Sequence, residues 1–174
     1  MGTLAGPEEL RVVGSEKIVP DARGMFGAVA RIGYKFPEAV ADIVDNSIDA
    51  GARKILIRFF CSDDAIRRIA IVDDGGGMSP DELRRGMQFG ADIPHDSKDL
   101  GKFGMGMKSA SFSQCLALSV LTRKKKVTSA RRWTAETIGQ DWSCSLLSDR
   151  DADQILDGDW GFLNLARSGT AILW

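Results

Sequence analysis

Three short stretches of the chain carry residues whose types and spacing can do chemistry. The first is EAVADIVDNSIDAGA, Glu38 to Ala52, where Asp42, Asp45, Asn46 and Asp49 interrupt an apolar periodicity. On a helix turning ~100° per residue, these four fall within an arc of roughly 100°. A solvated face is one reading of such a stripe. The other follows from the lack of Lys or Arg on the helix and from the i, i+4 spacing of Asp42 and Asn46, which lets both address one ligand. Carboxylate and amide oxygens together suit a hard cation such as Mg2+ with its waters.

The second stretch is IVDDGGGMSPDEL, in which a strand-like run meets Asp73 and then Gly75, Gly76 and Gly77. An acid at a strand end can accept a hydrogen bond from an exocyclic amine such as that of adenine, and the glycines clear side chains where something approaches the backbone. Asp-Asp-Gly is equally an ordinary turn. The third is LGKFGMGMKSASFS, with Gly101, Gly104 and Gly106 at a helix entrance. Backbone N–H groups and the positive end of a helix dipole there suit phosphate. The order is not that of a dinucleotide-binding βαβ unit, and the Walker pattern is absent. Lys102 and Lys108 can add charge to phosphate or simply be exposed.

These stretches need elements to hold them. Pro37 to Ala50 reads as a helix with Val40, Ala41, Val44 and Ile48 as its apolar stripe, Pro37 at its start and Gly51 as C-terminal cap. KILIRFF and IRRIAIV form a hairpin around CSDDA. SPDELRRGMQF is a helix with Ser79 as N-cap and Glu82 in the capping-box place. A short helix is expected in ARGMFGAVARIGY and another from Gly104. The strands CLALSVLTR and VTSARRWTAETI flank a basic turn, Arg123 to Lys126, expected to be solvated. SDRDADQIL is a short helix capped by Ser148, and SGTAILW a closing strand that ends as at a domain boundary. Helices thus interleave with strands and hairpins, which favours an α/β sandwich with a mixed sheet over a doubly wound one. The segment from Gly90 to Gly101 is polar and aperiodic, as a mobile loop is.

Composition bounds the rest. With 174 residues, 44% of them hydrophobic, the chain fits one compact domain. Lys+Arg 23 against Asp+Glu 24 gives no argument for a nucleic-acid or membrane partner. Cys61, Cys115, Cys144 and the lone His95 make neither a disulfide framework nor a zinc set, so an intracellular, cytoplasmic setting is expected. No apolar run approaches the ~18 residues of a membrane span, and Gly6 stands where a myristoylation motif needs Ser or Thr. Trp133, Trp142, Trp160 and Trp174 are expected in the core or at its boundary.

In this order, the three stretches and SGTAILW resemble the GHKL ATPases. That superfamily includes gyrase, the MutL proteins, heat-shock chaperones of the ninety-kilodalton class, histidine kinases and the MORC proteins. DIVDNSIDAGA looks like its asparagine box, DDGGGM its first glycine box, GKFGMG its second, and SGTAILW its terminal Gly-Thr strand. MQFG and GMGMKSAS look most like MORC and its bacterial relatives. The resemblance implies the Bergerat ATP-binding fold, an α/β (α+β) two-layer sandwich with a mixed, mainly antiparallel sheet covered by helices on one face. One domain is expected over 1–174, with 1–22 as a flexible lead-in, 88–101 as nucleotide lid and no downstream transducer domain.

By motif, the resemblance implies ATP and Mg2+ as cofactors. Asp73 receives the adenine amine with Thr170 assisting; Gly75, Gly77 and Met78 line the base pocket, and Asp49 is a pocket wall. Asn46 holds Mg2+. Gly101, Lys102, Phe103, Gly104, Met105, Gly106 and Met107 wrap the phosphates, and Lys108 approaches them. The family's water-activating Glu is replaced by Asp42, one methylene shorter, and a displacement near 1 Å can cost ~10²-fold. Slow ATP hydrolysis coupled to lid closure and ATP-dependent homodimerisation is therefore expected, with DNA contacted only through other domains. The alternatives are a nucleotide-gated interaction module that binds ATP or ADP without hydrolysis, and a histidine-kinase-type phosphotransferase.

Overall fold

A computed structural model describes residues 13–31, 33–90 and 106–174. The expected 1–22 lead-in is described only from residue 13, and 13–20 form no regular element. Helix α1 (Ala22–Ala30) starts where Asp21 Oδ2 accepts the Gly24 N–H at 2.6 Å. Helix α2 (Phe36–Asp49) has Pro37 in its first turn, and Glu38 accepts the Lys35 N–H at 2.9 Å. Gly51, at φ +76°, ends it in the left-handed conformation that glycine adopts without steric cost.

Strands β1 (Ile55–Ser62) and β2 (Ala65–Asp73) form the expected hairpin, turning through Asp63 and Asp64 at φ +51° and +57°. Helix α3 (Pro80–Met87) has the capping box: Ser79 Oγ accepts from Glu82 N–H, and Glu82 Oε2 accepts from Ser79 N–H. Helix α4 (Gly106–Phe112) precedes β3 (Ala117–Lys124) and β4 (Val127–Thr134). Strand β4 is shorter than the sequence pattern suggests. Thr134 Oγ1 accepts the Thr137 N–H at 3.1 Å, so the AETI part of the run becomes helix α5 (Ala135–Asp141). Strand β5 (Ser145–Leu146), helix α6 (Asp149–Leu156) and strand β6 (Gly169–Leu173) complete the order.

The six strands form one sheet in the order β1-β2-β6-β3-β4-β5, with every described pair antiparallel. The last strand therefore lies in the middle, joining the two hairpins. Alternation along the strands splits the core in two. Ile71, Leu118, Val120, Trp133 and Ile172 face one side, packed with Ile43, Leu83, Met87, Phe112 and Ile138 of the helices. Ala70, Val72, Leu121, Ala130 and Ala171 face the other, beneath Ala152 and Leu156 of α6 and Trp160, Leu163 and Leu165. Burial of each large aliphatic here is worth about 1.5–3 kcal/mol. The helical layer thus covers one face as expected, and α6 with the loop after it adds cover on the second.

Two expectations are corrected. The buried residues of α2 are Ala39, Ile43 and Ser47, whereas Ala41 is exposed and Ile48 is 55% exposed. The helix is rolled so that Ser47 reaches across to β2, which turns Ile48 outward. The basic turn is also not uniformly solvated. Arg123 is 5% exposed, with Nη1 2.6 Å from Asp157 Oδ1 and Nη2 2.6 Å from Asp153 Oδ1, and Lys124 Nζ lies 2.7 Å from Glu82 Oε2. Arg123 points to the α6 face of the sheet, where two acids of that helix end await it. Only Lys125 and Lys126 of the four are exposed. Trp133 and Trp160 are buried, and Trp142 and Trp174 pack at the core boundary.

Candidate functional site

Asp73 closes β2, in register with Thr170 of β6. Its side chain is 4% exposed, Oδ2 accepting from Ser47 Oγ at 3.0 Å and Oδ1 from Gly75 N–H at 2.9 Å. These partners are neutral. Burial pushes the Asp73 carboxyl above the usual carboxylate range, and the hydrogen bonds from Gly75 and Ser47 oppose it. Each carboxylate oxygen keeps a further lone pair for a ligand's donor.

The backbone around this acid has no room for side chains. A Cβ on Gly75 would lie 2.9 Å from Asp73 Oδ1 and 3.0 Å from Ala50 O. Gly77 sits at φ +65°, and a Cβ there would run into the Arg123 carbonyl. Thr122, fully buried on β3, ties the loop to the sheet: its Oγ1 accepts the Met78 N–H at 2.8 Å, donates to Gly169 O at 3.1 Å and lies 3.1 Å from Thr170 Oγ1. Asp73, Gly75, Gly77, Met78 and Thr170 therefore lie together. A buried acceptor beside bare backbone fits a flat ring bearing an amine donor.

On α2, Asn46 Nδ2 donates to Asp42 O at 2.8 Å, so Oδ1 is the amide atom left to act as acceptor or ligand. This oxygen suits a hard cation. Asp42 Oδ2 would lie 3.4 Å from a Cβ on Gly106, so the start of α4 abuts the carboxylate. Hydrogen bonding to Asp42, then burial, raises the Tyr34 pKa. Asn46 and Ser47 are adjacent, so one helical turn connects the two groups: Ser47 holds Asp73, and Asn46 stands beside Asp42. Asp49 is exposed at the end of α2.

Lys108 is not the exposed lysine that one sequence reading allowed. It is 2% exposed, its Nζ donating to Gly86 O at 2.6 Å and lying 5.8 Å from the Phe89 ring centroid. Burial lowers its pKa to about 8. Met107 is half-buried and Gly106 exposed. Gly101, Lys102, Phe103, Gly104 and Met105, the loop after Gly90 and His95 lie outside the described residues.

Ser47, Thr122 and Tyr34 were not singled out from sequence. For Ser47 and Thr122 the signal was present: each is a lone hydroxyl four residues from Ile43 or two from Val120, on a face otherwise apolar. A cavity of about 620 Å³ lined by Ile66, Arg68, Gln114, Ser119, Leu121 and Trp174 includes none of the candidate site residues.

Comparison with known proteins agrees with this fold. The family model for histidine kinase-, DNA gyrase B-, and HSP90-like ATPases matches residues 34–159. ATPase morc-1 of Caenorhabditis elegans is 33% identical over 92 residues, 53% of this chain and 11% of that protein. The DNA mismatch repair protein MutL of Rhizorhabdus wittichii is 31% identical over 97 residues, 55% and 16% of the two chains. Protein MICRORCHIDIA 6 of Arabidopsis thaliana is 30% identical over 92 residues, 51% and 14%. The matched segments thus span a small fraction of each relative's length. A family model covering most of the chain, on an antiparallel sheet flanked by helices, identifies the chain as a member of the histidine kinase-, DNA gyrase B- and HSP90-like (GHKL) ATPase family.

Proposed function

We propose that the chain binds ATP with Mg2+ in the cleft between α2, the 74–79 loop and the sheet, and hydrolyses it slowly. The observation that carries the reading is Asp73, a buried carboxylate with neutral partners and spare acceptor capacity. Asp73, assisted by Thr170, would take the adenine amine, with Gly75, Gly77 and Met78 along the ring and Asp49 at the pocket wall. Asn46 Oδ1 would hold Mg2+, which when bound supplies charge neutralisation at the phosphates. Residues 101–107 and Lys108 would hold the phosphate chain. Asp42 would accept a proton from the water that attacks the γ-phosphorus, releasing ADP and phosphate. Occupancy would be coupled to closure of residues 88–101 and to homodimerisation, with DNA reached only through other domains. Among the described residues no helix is long and apolar enough to cross a membrane, and a cytoplasmic setting belongs to the same proposal. The MORC-like placement rests on MQFG and GMGMKSAS; the relatives include both MORC and MutL proteins.

The short carboxylate of Asp42 favours a second reading, a nucleotide-gated interaction module without turnover. Phosphate release by wild type, Asp42→Asn and Asp42→Glu separates the two, with isothermal titration of ATP and Mg2+ as the binding control. Hydrolysis predicts that Asn loses turnover and retains binding. If Asn turns over as fast as wild type, Asp42 is not the base. An absence of binding heat in all three would end both readings.

A further inference from the structure

We propose that the cavity beside the starts of β2 and β3 binds an amphipathic organic anion, its charged group held by Arg68 and Arg132 and its apolar body laid on the sheet. This cavity, of about 620 Å³, lies at the end of β2 opposite Asp73 and shares no residue with the cleft there. Its volume falls within the roughly 300–1,000 Å³ of small-molecule sites.

The sheet places its lining. Arg132, Ser119, Leu173 and Ala70 stand directly opposite one another on β4, β3, β6 and β2, so their side chains share one face. On that face Leu121, Leu147, Ile155 and Leu173 pack together beside α6, and these four give the cavity an apolar floor. Arg68, two residues before Ala70, lies on the same face. The β1–β2 ladder shifts between Phe60 and Cys61 and passes over Arg67, and this bulge brings both Arg67 and Arg68 to the cavity wall. Arg68 and Arg132 thus approach from strands three spacings apart, roughly 14 Å at the backbone, and flank the floor from two sides.

The charge of the lining is one-sided. Three arginines belong to it, and no Asp or Glu does. Burial pushes the Cys115 thiol up to about 12, so that group is neutral. Arg67 is met by Asp63 at 3.4 Å, whereas Arg68 and Arg132 have no carboxylate partner among the described residues. Arg68 is steadied by the Phe60 ring, 5.9 Å from its guanidinium carbon. Ser119, 7% exposed between Leu173 and Arg132, has a hydroxyl with no hydrogen-bond partner among the described residues. Two unanswered guanidinia and a spare hydroxyl call for an anion. A bare inorganic ion would leave the leucine and isoleucine floor wet, which is why the ligand carries an apolar body.

Anilinonaphthalene sulfonate, an aryl sulfonate whose fluorescence rises in apolar surroundings, is the probe. Titration of the folded chain should show saturable binding at one site, with octanoate displacing the probe and octanol failing to. Arg68→Gln and Arg132→Gln, both at exposed residues, should each raise the probe's Kd about tenfold, the loss of one contact to a charged group. Arg84→Gln, exposed on α3 and outside the lining, should leave the Kd within about twofold, since distant surface charges are screened. Saturating Mg2+-ATP should leave the probe bound. The proposal is overturned by an absence of saturable binding, by a Kd unchanged in either arginine variant, by octanol displacing as well as octanoate, or by displacement with Mg2+-ATP, which would put the probe in the cleft at Asp73.

Discussion

Replacing Asp73 with Asn should separate stability from ligand binding. Asn is nearly isosteric, and the described partners can accommodate it. Asn Oδ1 can accept the Gly75 N–H now bound at 2.9 Å. Its Nδ2 can donate to Ser47 Oγ, whose own proton has a ready acceptor in Ile43 O at 3.2 Å. No buried polar group is orphaned, and a desolvated charge is removed. Because burial raises the Asp73 pKa in the folded state, the folded chain holds a proton that the unfolded chain has lost once pH exceeds the ordinary carboxylate range. Wild type therefore loses stability relative to the variant as pH rises through the Asp73 pKa, and the difference vanishes in acid. At neutral pH the ligand-free variant should be at least as stable as wild type by denaturant unfolding. ATP binding should suffer doubly, since the charged acceptor is gone and an N–H donor now faces the ligand's amine. At about 1.5–3 kcal/mol for a hydrogen bond to a charged group, plus the unpaired donor, the loss is on the order of 10²–10³-fold in Kd. Isothermal titration measures it. Destabilisation beyond about 1 kcal/mol at neutral pH, with ATP affinity intact, would refute the reasoning on both counts.

Gly77→Ala places a methyl against the Arg123 carbonyl at a residue with φ +65°, and should cost roughly 2–4 kcal/mol in denaturant unfolding and abolish ATP binding. Arg123→Met removes the cation joining β3 to Asp153 and Asp157, and exposed ends let those acids rehydrate, so a loss of about 1–3 kcal/mol is expected. Lys108→Met should remove a pH dependence. The folded lysine titrates near 8 and the unfolded one near 10.5, so wild type gains stability between those values, by on the order of 3 kcal/mol, while the variant stays flat in unfolding measured across that range.

Much of this architecture was legible in local signals. Pro37, Ser79, Ser148 and Gly51 marked helix ends because capping and left-handed turns depend on a few adjacent residues. What escaped was decided across distance. Periodicity on α2 pointed to Val44 and Ile48, yet Ser47 is the side chain turned inward, because its partner Asp73 lies 26 residues away. Arg123 looked like part of a solvated turn because Asp153 and Asp157 belong to a helix on the far face. Of the candidate site, the acid, the asparagine and the glycines were visible as residue types at fixed spacing. Thr122 stood out only as a lone hydroxyl on an apolar face, and its partners, Met78 and Gly169, are tertiary neighbours that no spacing encodes.

The placement of β6 carries a consequence for synthesis. The strand nearest the end of the described chain is the one that must enter between β2 and β3. Until it emerges, the β1–β2 and β3–β4 hairpins each expose an apolar inner edge, and the sheet cannot close. Long-range pairing of this kind is slow. Thr170 arrives on that same strand, opposite Asp73. A nascent chain therefore cannot bring Thr170 opposite Asp73 before its sheet is complete, so the proposed nucleotide site would be finished only when the sheet is.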